Sequence, residues 1–281
     1  MKEHRLLSFI AIFIVYIISA MVGIVTYNYL KFDLWLNLLI ADVISTVIVF
    51  IFSLILNNAS VYDPYWSVAP IVILTYAVLT NEITNASILV LIAVFLWGIR
   101  LTANWSYTFK NLKHQDWRYT MLKEKTKKLY PIINFLGIHL FPTIVVYLCI
   151  TPAVYLVKFN VEANIFTIIF FAISLLSVLL QGASDIQMHK YRKNRQTPFI
   201  RDGLWKYSRH PNYLAEILMW WSIGLLVVLT VNNNYYFLAG AMINMLMFIF
   251  ISIPMADKRQ GRKEGFMEYK KQTRMLLPIK K

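Results

Sequence analysis

The side chains best suited to chemistry lie in one stretch, Gly203–Glu216, which reads GLWKYSRHPNYLAE. Basic, aromatic, amide and carboxylate groups crowd there just as a long apolar run begins. Pro211 suits a first helical position, where its missing N–H would have no partner anyway. Asn212 and Glu216 then lie four apart, on one face of a helix entering the membrane. A carboxylate one turn inside an apolar helix is costly unless it has a partner or a task. Tyr207, Arg209 and His210 come just before, where the free N–H groups of a helix N-terminus would greet an anion. The alternative for this stretch alone is an interfacial anchor of aromatic and basic residues.

Further polar residues sit inside apolar runs. Gln181, Asp185, His189 and Arg192 follow at spacings of four, four and three, a stripe down one helix face. Arg100 and Asn104, four apart, mark a second stripe. Asp63 sits in VYDPYWSVAP, where Pro64 and Pro70 break the helix and free backbone groups that must line protein or water. Asp42 stands alone, a candidate for a structural pair. These stripes and the Gly203–Glu216 stretch are expected to converge on one pocket. Arg100, Arg192, Arg209 and the Lys258–Arg259 pair suit phosphates, which arginine grips bidentately. Asp63, Asp185, Glu216 and the amides suit ribose hydroxyls or a carboxamide. An anionic dinucleotide entering from the cytoplasm fits this set. No GxGxxG follows a strand and no P-loop occurs, so a Rossmann or P-loop site is excluded. The five histidines show no metal-ligand spacing, and no metal is expected. The lone Cys149 excludes an internal disulfide.

The elements that must position these groups are membrane helices. Of 281 residues, 58% are hydrophobic, and the mean hydropathy is +0.56. That composition implies an all-α, polytopic transmembrane bundle. No cleavable signal is expected, because the first apolar run is too long. Eight apolar segments are legible: Leu6–Tyr29, Leu34–Leu56, Ser67–Thr80, Ser87–Trp105, Phe135–Val157, Ile165–Gln181, Tyr213–Val231 and Tyr235–Ile253. The third is short and the sixth borderline for a span of about 20 residues. The net charge of +14 is decided by its distribution, not by nucleic acid. Two Lys or Arg precede the first segment, seven lie between the fourth and fifth, seven between the sixth and seventh, and nine follow the eighth. If every segment crosses, all of these fall on one side, with Lys31 and Lys158 on the other. The positive-inside rule then puts both termini in the cytoplasm, in the plasma membrane if the source is bacterial. Lys110–Tyr130, Met188–His210 and Asp257–Lys281 become cytoplasmic pieces able to cap the bundle.

The blocks GASDIQMHKYR, GLWKYSRHPNYLAE, SIPMADKR and EYKKQTRMLLP, in that order, resemble the steroid 5-alpha-reductase superfamily. VYDPYWSVAP and WGIRLTANW fit its little-characterised bacterial branch. The resemblance runs from about Asn57 to Pro278, so Met1–Leu56 reads as added N-terminal transmembrane helices and Asn57–Lys281 as the reductase-like catalytic domain. RHPNY also resembles an element of isoprenylcysteine carboxyl methyltransferases and related phospholipid methyltransferases. The reductase resemblance implies NADPH bound from the cytosol and reduction of a carbon–carbon double bond conjugated to a ketone. It implies cofactor contacts at Asn212 and Glu216 on the nicotinamide, at Asp185 and Arg192, at Tyr207 near the phosphates, and at Arg100. It puts Asp63 where the reductases keep a ketone-holding glutamate. Tyr62 replaces the glutamine beside it, Trp97 falls where a polarising tyrosine is expected, and Ala215 replaces a glycine. The cofactor half therefore matches better than the substrate half.

Hydride transfer to an enone needs a donor to the developing oxyanion in a dry site. Asp63 serves if burial keeps it protonated, with Tyr62 as helper; the competing reading makes Asp63 a helix cap at a proline break. The expected catalytic residues are Asp63, Tyr62 and Glu216. The expected NADPH contacts are Arg100, Asn104, Gln181, Asp185, Arg192, Tyr207, Arg209, His210, Asn212, Glu216 and Arg259. The expected partners are a lipid-like enone substrate and membrane lipids, with no nucleic acid. Two other classes stay open: an S-adenosylmethionine-dependent membrane methyltransferase, and a non-catalytic lipid-binding protein.

Overall fold

A computed structural model describes residues 4–231 and 235–278. Among them the chain is helical, with no strand and one isolated parallel bridge between Ser208 and Arg274. In order the helices are α1 Arg5–Tyr29, α2 Leu34–Ile55, α3 Tyr65–Leu79, α4 Asn85–Thr108, α5 Trp117–Thr126, α6 Tyr130–Ile133 and α7 Phe141–Lys158, then α8 Ile165–Lys193, α9 Leu204–Tyr207, α10 Pro211–Val231, α11 Ala239–Met247, α12 Ile253–Gln260 and α13 Phe266–Gln272. Wider π-helical turns, Asn134–Leu140 and Phe248–Ser252, join α6 to α7 and α11 to α12.

Local chemistry sets these ends. Asp33 caps α2 by accepting from the N–H groups of Trp35 and Leu36. Asn164 and Thr167 form a reciprocal capping box at the start of α8. Pro211 opens α10, as its fixed φ favours. Seven described helical stretches are long and apolar enough to cross a membrane, so the protein is an all-α, multi-pass helical bundle. The segment expected to end near Gln181 instead continues unbroken to Lys193, carrying its polar stripe with it. The third apolar segment is a helix, but α3 has only 15 residues and spans about 22 Å at 1.5 Å per residue, short of a hydrocarbon core of about 30 Å.

The chain divides into two compact units, Met1–Thr80 with Trp97–Thr151, and Asn81–Leu96 with Pro152–Lys281. The first two helices thus share a unit with α3 and the residues around α5 and α6.

In the first unit, α1 buries a mixed stripe and turns large apolar side chains outward. Ser8, Ile12, Val15, Ser19 and Gly23 are buried, whereas Phe13, Ile17, Met21 and Val25 are exposed. Small and polar residues join Ile12 and Val15 in the seam, because lipid is as apolar as leucine, so close approach and hydrogen bonds count in the packing. Ser19 and Ser45 exchange hydroxyl-to-carbonyl bonds of 2.9 and 3.0 Å between α1 and α2. A Cβ on Gly23 would meet Ser45 Oγ at 2.3 Å, so only glycine allows this approach. Asp42 is buried in the same seam beside Tyr65.

The second unit is built on α8 packed along α10. Thr167 and Thr230 bond at 3.0 Å near one end of the pair. At the other end Phe199, Phe266 and Tyr269 form a small aromatic core under the loops, and the Tyr269 hydroxyl donates to the Trp205 carbonyl.

If α3 also crosses, the described basic loops fall on one side, as the positive-inside rule expects. Lys2, Lys280 and Lys281, three of the counted cations, lie outside the described residues. A reporter fused after Lys281 is expected to be active only in the cytoplasm. Activity on the outer side alone would remove α3 from the count of crossings.

Candidate functional site

The second unit carries a clamped carboxylate. Glu216 lies one turn inside α10 and is 2% exposed. Gln181 of α8 donates through Nε2 to Glu216 Oε2 at 2.5 Å, and Trp220 Nε1 donates to Oε1 at 2.9 Å. Both oxygens are thus held, which is what an acid at this depth requires. Trp220 follows Glu216 by four residues on one helix face, a pairing that the spacing alone displays. Two acceptors beside this clamp have no donor: Gln181 Oε1 and, one turn before Glu216, Asn212 Oδ1. Buried amide oxygens are rarely left without a hydrogen-bond donor.

The rest of the α8 stripe grades outward. Gln181 is buried, Asp185 and His189 are half-buried, and Arg192 is exposed. Near its end lies a group of cations. Burial, together with the guanidinium groups of Arg195, Arg259 and Arg192, pulls the Lys263 ammonium below its ordinary value. Cations at the end of α8 also suit its C-terminal dipole. Arg195 is steadied by a 3.0 Å bond to the Pro198 carbonyl. Lys263 and Arg195 were not among the expected contacts; only folding brings them beside Arg192 and Arg259.

Arg209 and His210 are engaged within the protein. Arg209 Nη2 donates to Asp257 Oδ2 at 3.0 Å, and His210 Nε2 lies 3.0 Å from Asp257 Oδ1. Lys270 Nζ adds a third contact at 3.2 Å. The Arg209 guanidinium also donates to the Thr273 carbonyl, and its backbone N–H to the Arg274 carbonyl at 3.0 Å. These two residues therefore fasten the start of α10 to α12 and to the chain after α13. His210 stacks on Tyr213 with ring planes 3° apart. Tyr207, on α9, is 58% exposed. Gly203, at φ +60, starts α9 where a Cβ would lie 2.6 Å from Gln187 Oε1, the atom that accepts from Leu204 N–H. The sequence hint to Asp257 was its solitude, the one acid at the end of the last apolar segment.

Asp63, Tyr62, Arg100 and Asn104 belong to the first unit. Asp63 is half-buried in the turn before α3, and the Tyr119 hydroxyl donates to its Oδ1 at 2.6 Å. The N-terminus of α3 has no side-chain cap, so the capping role foreseen for Asp63 is not the bond it makes. Burial pushes the Asp63 carboxyl up to about 6, against the opposing pull of Arg118 and the Tyr119 bond. Arg118 and Tyr119 come from α5, and nothing in their local sequence marked them. Tyr62 is buried, bonds Thr143 Oγ1 at 2.8 Å and lies against the His139 ring. Arg100 and Asn104 lie one turn apart on α4. Among the described residues no group of His, Cys, Asp and Glu could hold a metal ion.

The profile of a family described as a protein of unknown function (DUF1295) matches residues 49–273. That family falls in the steroid 5-alpha-reductase-like clade. An uncharacterized protein of Schizosaccharomyces pombe is 26% identical over 199 residues, covering 60% of this chain and 57% of the yeast protein. The chain thus spans little more than half the length of that curated relative. No solved structure matches.

Removing one partner of a buried ion pair leaves the other charge uncompensated, at a cost of roughly 3–5 kcal/mol. Asp257→Asn keeps the shape and removes the charge facing Arg209. It is expected to lower unfolding stability in detergent by about that amount, whereas Asp202→Asn, in the exposed loop before α9, should change it by less than about 0.5 kcal/mol. Equal stability of the two variants would contradict the fastening role.

Proposed function

We propose that this chain, which belongs to the family of proteins of unknown function DUF1295, is a membrane reductase that uses NADPH to reduce the activated double bond of a lipid-like enone. The observation that carries this reading is the clamp in the second unit: Glu216 held by Gln181 and Trp220, with Gln181 Oε1 and Asn212 Oδ1 lacking donors. A carboxamide NH₂ has two N–H groups, and an N–H is the kind of partner that each of these amide oxygens can take. The cations Arg192, Arg195, Arg259 and Lys263 support the same reading, since their mutual repulsion is relieved by an anion of high charge. The order of blocks shared with the steroid 5-alpha-reductase superfamily adds to it.

When bound, NADPH supplies the hydride. Gln181 and Asn212 would accept from its carboxamide, and Glu216 would fix the amide plane of Gln181 through the Nε2 bond. Trp220 would keep water from the carboxylate. Arg192, with its neighbours, would neutralise the phosphates. Asp63 in its neutral form is the proposed hydrogen-bond donor to the acceptor oxygen, where charge develops as hydride reaches the β carbon, and the α carbon would then take its proton from water. Tyr119 would hold that carboxyl in place, and Tyr62 would shape the wall beside it.

Binding to purified protein in detergent tests the cofactor. NADPH is expected to bind more tightly than NADH, with Arg192→Ala weakening NADPH about tenfold more than NADH. Glu216→Gln should weaken both. Binding of S-adenosylmethionine in place of NADPH would turn the assignment to a membrane methyltransferase, and binding of neither to a non-catalytic lipid-binding protein.

The chemical step has a pH signature. With its value raised to about 6, Asp63 is roughly one-tenth neutral at pH 7 and mostly neutral at pH 5. Single-turnover oxidation of NADPH by an accepted enone should therefore rise several-fold as pH falls from 7 to 5. Asp63→Asn should flatten that limb and slow the step at low pH while leaving NADPH affinity intact. An unchanged profile would remove Asp63 from the donor role.

A further inference from the structure

A separate polar cleft of about 260 Å³ opens in the first unit, among the end of α2, the turn after it, and α5 and α6. Ser53, Asn57, Lys123, Lys127, Tyr130 and Asn134 line it. None of them belongs to the reductase reading above, and three observations mark the cleft as a binding site.

Asn134, at the start of a π-helical turn, is 2% exposed. Its Nδ2 reaches Ser53 Oγ at only 3.5 Å, and its Oδ1 has no donor. The missing partner is an N–H or O–H. Next, Lys123 is aimed rather than free to sweep. Its ammonium donates to Asn57 Oδ1 at 2.9 Å and lies 5.8 Å from the centre of the Tyr130 ring. An ammonium has three donors, and Asn57 uses one. Finally, the backbone takes a positive φ at two lining residues and is strained at Lys127. Asn57 has φ +46, and Lys127 has φ +45 with ψ −111. Asparagine tolerates the left-handed region, but lysine does not favour it, and such strain gathers at ligand sites.

We propose that this cleft binds a phosphate ester that carries a hydrogen-bond donor close to its phosphate. Lys123 and Lys127 take the phosphate, and Asn134 Oδ1 takes the neighbouring hydroxyl or ammonium. Two sources share this chemistry: the headgroup of a glycerophospholipid such as phosphatidylglycerol, and a soluble ester such as glycerol 3-phosphate. The cleft is smaller than the 300 Å³ or so at which drug-sized pockets begin, which suits a headgroup rather than a nucleotide. Basic pockets between membrane helices are where anionic headgroups bind.

The test uses the full chain in neutral detergent, with thermal unfolding read as ligand is added. Short-chain phosphatidylglycerol is expected to raise the midpoint by a few degrees. Phosphatidylcholine has the phosphate but no N–H or O–H donor and should raise it far less. Lys123→Ala with Lys127→Ala should weaken the phosphatidylglycerol effect at least tenfold in apparent Kd while leaving NADPH affinity as in the parent. Asn134→Leu should narrow the preference for phosphatidylglycerol over phosphatidylcholine, leaving the part that the lysines draw from its net charge. If Asn134→Leu fails to fold, the exposed lysine pair decides alone. Glycerol 3-phosphate acting as strongly as the lipid, and losing its effect in the lysine variant, would support the soluble source. No effect from it beside a clear lipid effect would support the membrane source. Equal response to both lipids in the parent, or an undiminished response in the lysine variant, would overturn the proposal.

Discussion

Hydrocarbon offers no hydrogen-bond partners, and that one constraint organises both units. A polar side chain in a membrane helix must find its partner within the protein. Ser19 and Ser45 satisfy one another's carbonyls, Thr143 joins Thr46 to Tyr62, and Glu216 is met by Gln181 and Trp220. The pairings that join two helices, Ser19 with Ser45, Thr46 with Thr143 and Gln181 with Glu216, also fix a register, because each is satisfied at one rotation and one height only. The apolar side chains on the outside of α1 contribute little to that choice, since lipid receives them equally well in any register.

Against this background Asp257 plays a part that no catalytic reading would give it. It gathers Arg209, His210 and Lys270, and Arg209 in turn reaches the carbonyls after α13. The place where α10 begins is therefore set by the end of the chain. Asn212 and Glu216 follow within two turns, so the clamp inherits its position from contacts made by residues some fifty positions away in sequence.

Much of this was legible in the sequence, for definite reasons. Hydropathy marks helices that must bury 20 or so residues, so the multi-pass all-α class and the long spans could be read directly. Pro211 fixed the start of α10, and the four-residue spacing placed Asn212 and Glu216 on one face. Spacing also put Gln181 on the right face of α8, although only packing shows that it meets Glu216. What stayed hidden depended on tertiary approach. Arg209 and His210 have the composition of an anion site, and nothing local reveals that an acid nearly fifty residues on will claim them. Tyr119 in α5 gives no sign that it will hold Asp63. The length of α8 was underestimated because a window of hydropathy ends where polar residues begin, whereas a helix does not.

The π-helical turn Phe248–Ser252 has a consequence for how such chains are to be compared. A π turn holds about one residue more than an α turn, and each residue in a helix advances the face by about 100°. The turn therefore acts as a phase shift for everything after it. Asp257 lies five residues beyond and reaches Arg209 in the phase that this extra residue sets. A chain with an ordinary α turn here would need its acid one position earlier or later to present it to the same arginine. Between two such proteins, aspartates that align column for column would point to different sides, and those that do the same work would sit in neighbouring columns.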